Sequence, residues 1–477
     1  MGRFLNPRAI AAGPADLQPV VALNPIAKPP FAPRPAAAAT VSLPATPGVE
    51  VPIAKPAAST SPVALIGLFA LCAYLISGYA TDLSYRFLGS KPYLSMISGV
   101  VVFLCFIISG RAFEALKTTV GKLWLALGVW MCLAVVFSRW IGGSFEVMQV
   151  YLPKQHLVLF YMAAFAGTIK HCRTVLRAWI LGGFILILVC IFFGVTDDSG
   201  RFAIPTNIYL MNPNDLAMQL LLCLGFFLFL VRQPSWVGRV TGVVGVLGAS
   251  YYLLKTASRG AMLACVVFAL LWLLFSENRP RLVIMALPVM LIFVAMMPGG
   301  TLHRLSLIVV NPVGARITSA LDEKALESQM ERQHLLKESL KYAITHPLFG
   351  IGPGRFSDAI WEDGKKQGRH EASLGTHNSY TQIAAECGLP ALIIFLAAII
   401  ITFRSSYRLC RATINDKSQG LVAALAFTCC VMTGSFAIDV FFHHVAYTGN
   451  MAMVLGLWVS TELATKKELP AYWRTAA

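Results

Sequence analysis

His377, Asn378 and Ser379 follow one another at the close of a long polar stretch, 299–375, and the chain then turns apolar through Glu386, Cys387 and Gly388. An imidazole with its ordinary pKa of about 6.5 takes up a proton near neutrality. A lone histidine at such a place is more often a hydrogen-bonded structural residue. Here Asn378 and Ser379 add donors and acceptors, which makes His377 the candidate acid–base group. Glu386 stands nine residues further on, too far along one helix for direct contact with His377. It reads either as part of the site or as a carboxylate paired inside a bundle. Both readings turn it inward, because an ionisable group facing lipid is costly.

Two arginines stand where an anion would be met. Arg201 lies in the connection 196–214, which closes on Asn212-Pro213-Asn214-Asp215 ahead of an apolar run, and Arg259 lies in Ser258-Arg259-Gly260 at the mouth of another. Inserting an arginine at mid-span costs about 2.5–3.5 kcal/mol, and less near an interface where it can snorkel. One such residue is equally an interfacial anchor. Two on one face, beside Lys255, read as an anion site, since planar guanidinium groups grip phosphate oxygens bidentately. A pyrophosphate at the lipid headgroup level suits that arrangement. Asp439, His443 and His444 cluster at a later turn, and with His377 they invite a metal reading. No spacing matches a pattern such as His-Glu-x-x-His, so no metal and no cofactor is expected.

These residues need elements to hold them, and composition says which. Charged residues make up only 13% of the 477 and hydrophobic residues 57%, with a mean hydropathy of +0.67. A soluble domain carries about a quarter charged residues. The chain is therefore expected to be all-α, a polytopic transmembrane helix bundle with one long, partly helical exterior loop. Apolar runs near 61–79, 93–109, 121–138, 150–169, 174–194, 215–231, 236–254, 259–275, 280–298, 383–403, 420–440 and 446–463 give about 12 spans, each long enough for ~30 Å of hydrocarbon.

The net charge of +16 invites a nucleic-acid reading, but its distribution argues against one. With the N-terminus cytoplasmic and the spans alternating, short inside connections and the C-terminal tail hold seventeen basic residues against seven outside. That is the positive-inside bias, so the charge is mainly a topology signal. Both termini are expected in the cytoplasm, and Arg201, Arg259 and His377 fall on the exterior face. The eleven cysteines lie in or beside predicted spans and imply no disulfide framework.

Thirteen of the twenty-six prolines occur by Pro62, and residues 1–60 read as a disordered Pro/Ala-rich cytoplasmic tail. Spans one to nine occupy 61–298, the large exterior loop 299–375, spans ten to twelve 376–463 and a second tail 464–477. Within the loop, 321–344 is rich in helix formers, with Leu326, Met330, Leu336, Leu340 and Ala343 able to share a face. His346-Pro347 ends that helix. Gly350-Ile351-Gly352-Pro353-Gly354 then makes a tight turn and not a phosphate loop, since no Gly-Lys-Ser/Thr follows and no strand precedes. Tyr79, Trp140 and Trp236, at segment ends, read as interface anchors.

Four motifs carry a resemblance over roughly 195–403. They are Arg201 with Asn212-Pro213-Asn214-Asp215-Leu216-Ala217; Ser258-Arg259-Gly260; His346-Pro347-Leu348-Phe349-Gly350-Ile351-Gly352-Pro353-Gly354; and His377-Asn378-Ser379-Tyr380 through Glu386-Cys387-Gly388. In this order, with the long loop before the last, the chain resembles the O-antigen ligase and polymerase superfamily of the bacterial inner membrane. The resemblance implies a metal-independent, inverting glycosyltransferase. Its donor would be an undecaprenyl-diphosphate-linked oligosaccharide, used at the periplasmic face for O-antigen, lipopolysaccharide or exopolysaccharide biosynthesis. It also implies other polysaccharide assembly and export proteins as partners, beside the lipid bilayer. By that similarity Arg201 and Arg259 hold the diphosphate and His377 activates or positions the acceptor hydroxyl, with Asn214, Asn378 and Glu386 lining the substrate site. Leu389-Pro390-Ala391 departs from the residues ligases often carry after the Cys-Gly pair, which leaves polymerase and ligase both open.

Two readings of other classes stand beside this one. A transporter or flippase of lipid-linked saccharides should concentrate charge at mid-span and show repeat symmetry. No repeat is visible in this chain, and its notable charges sit on one face. In a non-catalytic scaffold of an envelope-synthesis complex, the same Arg and His residues would only anchor helices.

Overall fold

The structure, a computed structural model, describes residues 61–80, 93–197, 200–205, 210–276, 320–368 and 374–474. The expected tail at 1–60, the run at 280–298 and the loop residues 299–319 and 369–373 lie outside the described residues. The described chain is helical apart from one two-stranded antiparallel hairpin, β1 (Val195–Thr196) with β2 (Phe202–Ala203). The helices are α1 (Pro62–Tyr79), α2 (Tyr93–Ile108), α3 (Thr119–Val136), α4 (Ile141–Tyr151), α5 (Val158–Phe165), α6 (Ile169–Phe193), α7 (Pro213–Val231) and α8 (Trp236–Lys255). They continue as α9 (Arg259–Phe275), α10 (Ala320–Thr345), α11 (Phe356–Lys366), α12 (Ser379–Cys387), α13 (Leu389–Thr413), α14 (Gly420–Asp439), α15 (Gly449–Glu468) and α16 (Ala471–Arg474).

Seven described helices are long and apolar enough to cross a membrane: α1, α3, α6, α7, α8, α13 and α14. α2 and α9 are shorter apolar helices. This is a multi-pass membrane protein. The twelve expected runs do not all become single helices. The run at 150–169 is broken into the end of α4, a π-helical turn Leu152–His156, and α5. Pro153 sits inside that turn, where it cannot donate to a helical ladder. The run at 383–403 is divided at Gly388, so that Glu386 belongs to the short α12 and the long apolar helix starts at Leu389.

Burial sorts the spans. In α7 and α14, 78% of the apolar window is inside the protein, against 22% in α8. α7 and α14 are therefore central, and α8 turns Trp236, Val237, Val240 and Val244 outward. In hydrocarbon every polar group must be satisfied internally. The buried hydroxyls of Thr433, Thr461 and Thr465 accordingly bond the carbonyls of Cys429, Leu457 and Thr461 one turn back, each at 2.7 Å. All eleven cysteines are free thiols. Trp140 and Trp236 are exposed, at 57% and 74%, but Tyr79 is not an interface residue. It is buried against α6, where a Cβ at Gly182 would lie 2.5 Å from its ring.

The expected loop helix is α10, ending at Thr345 ahead of His346-Pro347. Its buried face is Leu335, Ser339, Tyr342 and Ala343, while Met330 and Leu340 are exposed. Of the apolar stripe read from sequence, only Ala343 is buried. Leu336 is half-buried, and the side chain of Leu326 is outside the described residues. The reason is tertiary. Tyr342 packs edge-on to Phe356, its hydroxyl donates to Asp363 Oδ2 at 2.8 Å, and Arg139 stacks 5.1 Å over its ring. Arg139 also reaches Asp363 at 3.2 Å.

The glycine turn is structural. Gly350, Gly352 and Gly354 have φ of 68°, 111° and 70°. The N–H groups of Ile351 and Gly352 donate to the carbonyls of Ala385 and Glu386, both at 2.9 Å. Gly388, at φ 87°, separates α12 from α13, and a Cβ there would lie 2.0 Å from the Leu348 carbonyl oxygen. Leu389 and Pro390 then open α13, Pro390 in its first turn.

Candidate active site

Asn212 opens the first part of the site. Its side chain accepts the Asn214 N–H at 2.9 Å and caps α7, with Pro213 in the first turn. That fixes Asn214, only 7% exposed, so that its Oδ1 accepts from Arg201 Nη2 at 2.7 Å. The other edge of the same guanidinium, Nε, donates to the Thr256 carbonyl at 3.1 Å. The Arg201 backbone N–H is held by Asp197 Oδ1 at 2.8 Å across the hairpin. Arg201 and Asn214 are thus brought together, and Arg201 is tied to the segment that leads into Arg259.

That segment is bent. Ala257 has φ 50°, and Arg259 is the first residue of α9. Gly260 lies against Phe442, and a Cβ would come within 2.4 Å of that side chain. Only a glycine lets the start of α9 approach so closely, so Ser258-Arg259-Gly260 is docked on the turn between α14 and α15. Lys255 is turned aside, its Nζ 5.0 Å from the Tyr251 ring centroid and 5.7 Å from that of Phe202.

The same turn receives the histidine motif. Ser379 Oγ donates to the His443 carbonyl at 2.6 Å and accepts the Val445 N–H at 2.9 Å, and the Ser379 N–H reaches the Val440 carbonyl at 2.9 Å. The Tyr380 hydroxyl donates to the Ala437 carbonyl at 2.7 Å. The His377 ring meets His444 edge to face, centroids 4.9 Å apart. His377 itself has φ 52°. It and Ala257 are the two non-glycine residues with positive φ among the described residues. Backbone held in this region costs about 1–3 kcal/mol and collects at functional sites. Here both instances stand beside the residues singled out by chemistry.

Charge around the turn is divided. Burial, then His444, Arg332 and His443, push the His377 pKa down to about 3, so the imidazole is neutral over the physiological range. His444 is lowered by burial and by His443 and Arg332. His443 goes the other way. Burial alone would lower it, but the Asp439 carboxylate, 3.2 Å from its Nδ1, and Asp215 together raise it. Neither carboxylate oxygen of the fully buried Asp439 has a well-aligned hydrogen bond, so its tie to His443 is chiefly electrostatic.

The two remaining expected site residues have structural bonds. The Asn378 side chain caps α12, accepting the N–H groups of Tyr380 and Thr381 at 2.9 and 3.1 Å. Glu386, 2% exposed, accepts the Phe356 N–H at 3.0 Å and so fastens the first turn of α11. The hydroxyl of Tyr447 lies 3.5 Å from Cys387 Sγ and accepts the Gly354 N–H at 3.3 Å, close beside it. Among the described residues, no group of three His, Cys, Asp or Glu side chains is arranged to hold a metal ion. Sequence reasoning noticed Asp439, His443 and His444 but gave them no part beyond a metal site. The structure makes their turn the centre on which both motifs dock. The signal was there, an acid and two histidines within six residues, Asp439 to His444. Arg332, whose field reaches two of the histidines, was not singled out at all.

Residues 243–396 match the family model described as O-antigen ligase. That stretch is similar to the O-antigen ligase and polymerase superfamily. The match covers about a third of the chain and takes in Arg259, His377, Asn378 and Glu386, while Arg201 and Asn214 precede it. No curated protein matches the chain. The matched segment is thus similar to an O-antigen ligase, and within it the fold brings Ser258-Arg259-Gly260 and His377-Asn378-Ser379 onto one turn.

Proposed function

We propose that this O-antigen ligase-type protein is a glycosyltransferase, working at the periplasmic face of the bacterial inner membrane. It transfers or polymerises glycans carried on undecaprenyl diphosphate. The observation that carries the reading is the convergence of Ser258-Arg259-Gly260 and His377-Asn378-Ser379 on the turn at 440–448, with Arg201 bonded to the chain leading into Arg259.

In this mechanism Arg259 and Arg201 bind the donor diphosphate. His377 accepts the proton of an acceptor hydroxyl as that oxygen bonds to the anomeric carbon. The bond from that carbon to the diphosphate breaks with inversion, and the guanidinium groups stabilise the charge left on the departing diphosphate. No metal is required for that stabilisation. A histidine with a pKa near 3 is a weak base, held there first by burial and then by His444, Arg332 and His443. A bound diphosphate supplies the opposite charge and raises it toward the range useful for proton transfer. Asn378 and Glu386 act by holding α12 and α11 in place around His377.

The test is turnover of an undecaprenyl-diphosphate oligosaccharide panel by purified protein in detergent, without added metal. Release of carrier diphosphate with a longer or transferred glycan, lost in His377→Ala and Arg259→Ala while both variants stay folded, is the expected result. Silence across the panel, with movement of the same lipids in liposomes, would make the protein a transporter instead.

A further inference from the structure

The exposed apolar side chains of α10 gather at its end. Leu340 and Ile344 point away from the buried face of Leu335, Ser339 and Tyr342, Ile344 at 75% exposure, and Leu348 follows at 53% in the turn after the helix. Spaced four apart, the three share one side. Earlier on that side the helix shows Gln333 and Lys337, and the exposed Met330 stands beside Glu331. Polar surface thus gives way to apolar surface toward 344–348.

That apolar end continues two others. Phe349, next in the chain, stacks on Phe137 with centroids 4.1 Å apart and on Trp130 at 5.2 Å. Trp130 belongs to α3 and Phe137 closes it, and α3 exposes an outward stripe of Val129, Leu133 and Val136. On the other flank the Pro347 carbonyl accepts the Leu389 N–H at 2.8 Å, and Gly388 is pressed on the Leu348 carbonyl. Leu389 and Ile393 open the exposed stripe of α13. Both α3 and α13 are long and apolar enough to span, so their outward stripes face hydrocarbon. The turn at 346–349 is fastened between those two surfaces, and Leu348 and Ile344 extend them.

We infer that the end of α10 and the turn at 346–349 are seated in the leaflet on the side of the His377 turn, so that the loop helix is anchored in the bilayer. Lipid is the partner of this face, with acyl chains against Ile344 and Leu348 and headgroup phosphates at Lys337. Lys337 stands two turns before Ile344, about 10 Å along the axis. The apolar face of an interfacial helix sinks about 5–10 Å below the headgroups, which matches that spacing. Lys341, paired with Glu338 at 2.9 Å, lies between. The anchor reaches the site through packing. Leu335 and Tyr342 of α10 cluster with Phe356 of α11 and Ala385 of α12, the helix that follows His377. Seating α10 in the leaflet therefore sets the depth of the histidine turn, whatever reaction is carried out there.

An environment-sensitive fluorophore tests the seating in proteoliposomes made with phosphatidylcholine brominated high or low on its acyl chains. It is attached at Ile344→Cys, Leu348→Cys, Gln333→Cys or Glu362→Cys, each in a Cys132→Ala chain because Cys132 is the exposed native thiol. Strong quenching is expected at 344 and 348, greatest with bromines near the top of the chain. Little is expected at 333, and least at Glu362, an exposed residue of α11. Quenching at 344 and 348 no greater than at 362 overturns the proposal. So does blue-shifted emission that bromolipids leave untouched, since a second copy or another protein would then cover the face. Ile344→Asp and Leu348→Asp give a readout without a label. In liposomes trypsin should cut within 320–368 faster in each than in wild type, with Gln333→Asp unchanged. Equal digestion of all four proteins overturns the anchoring.

Discussion

His377 is held neutral by its surroundings, and that has a consequence for stability. Its folded pKa is lowered from 6.5 to about 3, so the unfolded chain binds the proton more readily than the folded one between those values. Stability must then fall as pH drops through that window. His443 has the opposite sign: its raised pKa adds stability below its unfolded value, and this is lost as pH rises through the folded one. The melting temperature of detergent-solubilised protein should thus fall less between pH 7 and pH 5 in His377→Gln than in wild type, and more in His443→Gln. Identical drops in all three would contradict the assigned environments. Arg201 and Asn214 form a second residue-scale unit. Their 2.7 Å bond predicts that Arg201→Ala and Asn214→Ala are non-additive in activity, with a coupling of about 0.5–3 kcal/mol in a double-mutant cycle. Strict additivity would mean that the pair acts independently.

Among the elements, α9 is set by one close approach. Gly260 meets Phe442 with no room for a methyl group, the nearest atom being 2.4 Å from a Cβ. Gly260→Ala should push the start of α9, and Arg259 with it, off the turn at a cost of about 1–3 kcal/mol. Donor turnover should fall more than the melting temperature does, and Phe442→Ala in the same chain should recover part of it. A Gly260→Ala protein with wild-type turnover would show that Arg259 need not be so placed. The loop helices are fixed by a different device, Asp363 shared between Arg139 and the Tyr342 hydroxyl. Asp363→Ala removes both and leaves two polar partners unpaired, so limited proteolysis should cut within 320–368 sooner than in wild type. An unchanged digestion rate would mean that the apolar cluster around Leu335 and Phe356 suffices.

For the whole molecule, the arrangement commits the helix-and-turn segment 320–378 and the turn at 440–448 to one side of the membrane, and the ends of α13 and α15 with Arg411, Lys466 and Lys467 to the other. The excess of basic residues predicts that this second side is the cytoplasmic one. A membrane-impermeant maleimide applied to spheroplasts should therefore label Glu362→Cys. It should reach Lys467→Cys only after the membrane is opened. The reverse pattern would invert the topology and move the site away from the periplasm. Ten of the eleven native cysteines are buried or half-buried, which keeps the background low.

Sequence alone determined what depends on local composition and period. Apolar length marked the helices, His346-Pro347 the end of α10, and the glycine run a turn with positive φ. It also supplied the chemistry of Arg201, Arg259 and His377, because arginine and histidine beside membrane-length apolar runs are expensive and therefore informative. Tertiary structure decided the rest. Which face of α10 is buried follows from Tyr342 reaching Asp363, a contact between residues 21 apart that no helical period encodes. That Asn378 and Glu386 spend their side chains on holding helix starts follows from caps and contacts made across the fold. That two motifs meet at the turn after α14 follows from packing, with Gly260 on Phe442 and Ser379 on His443. Such approaches are set by the bundle as a whole, and they leave no spacing in the chain to read.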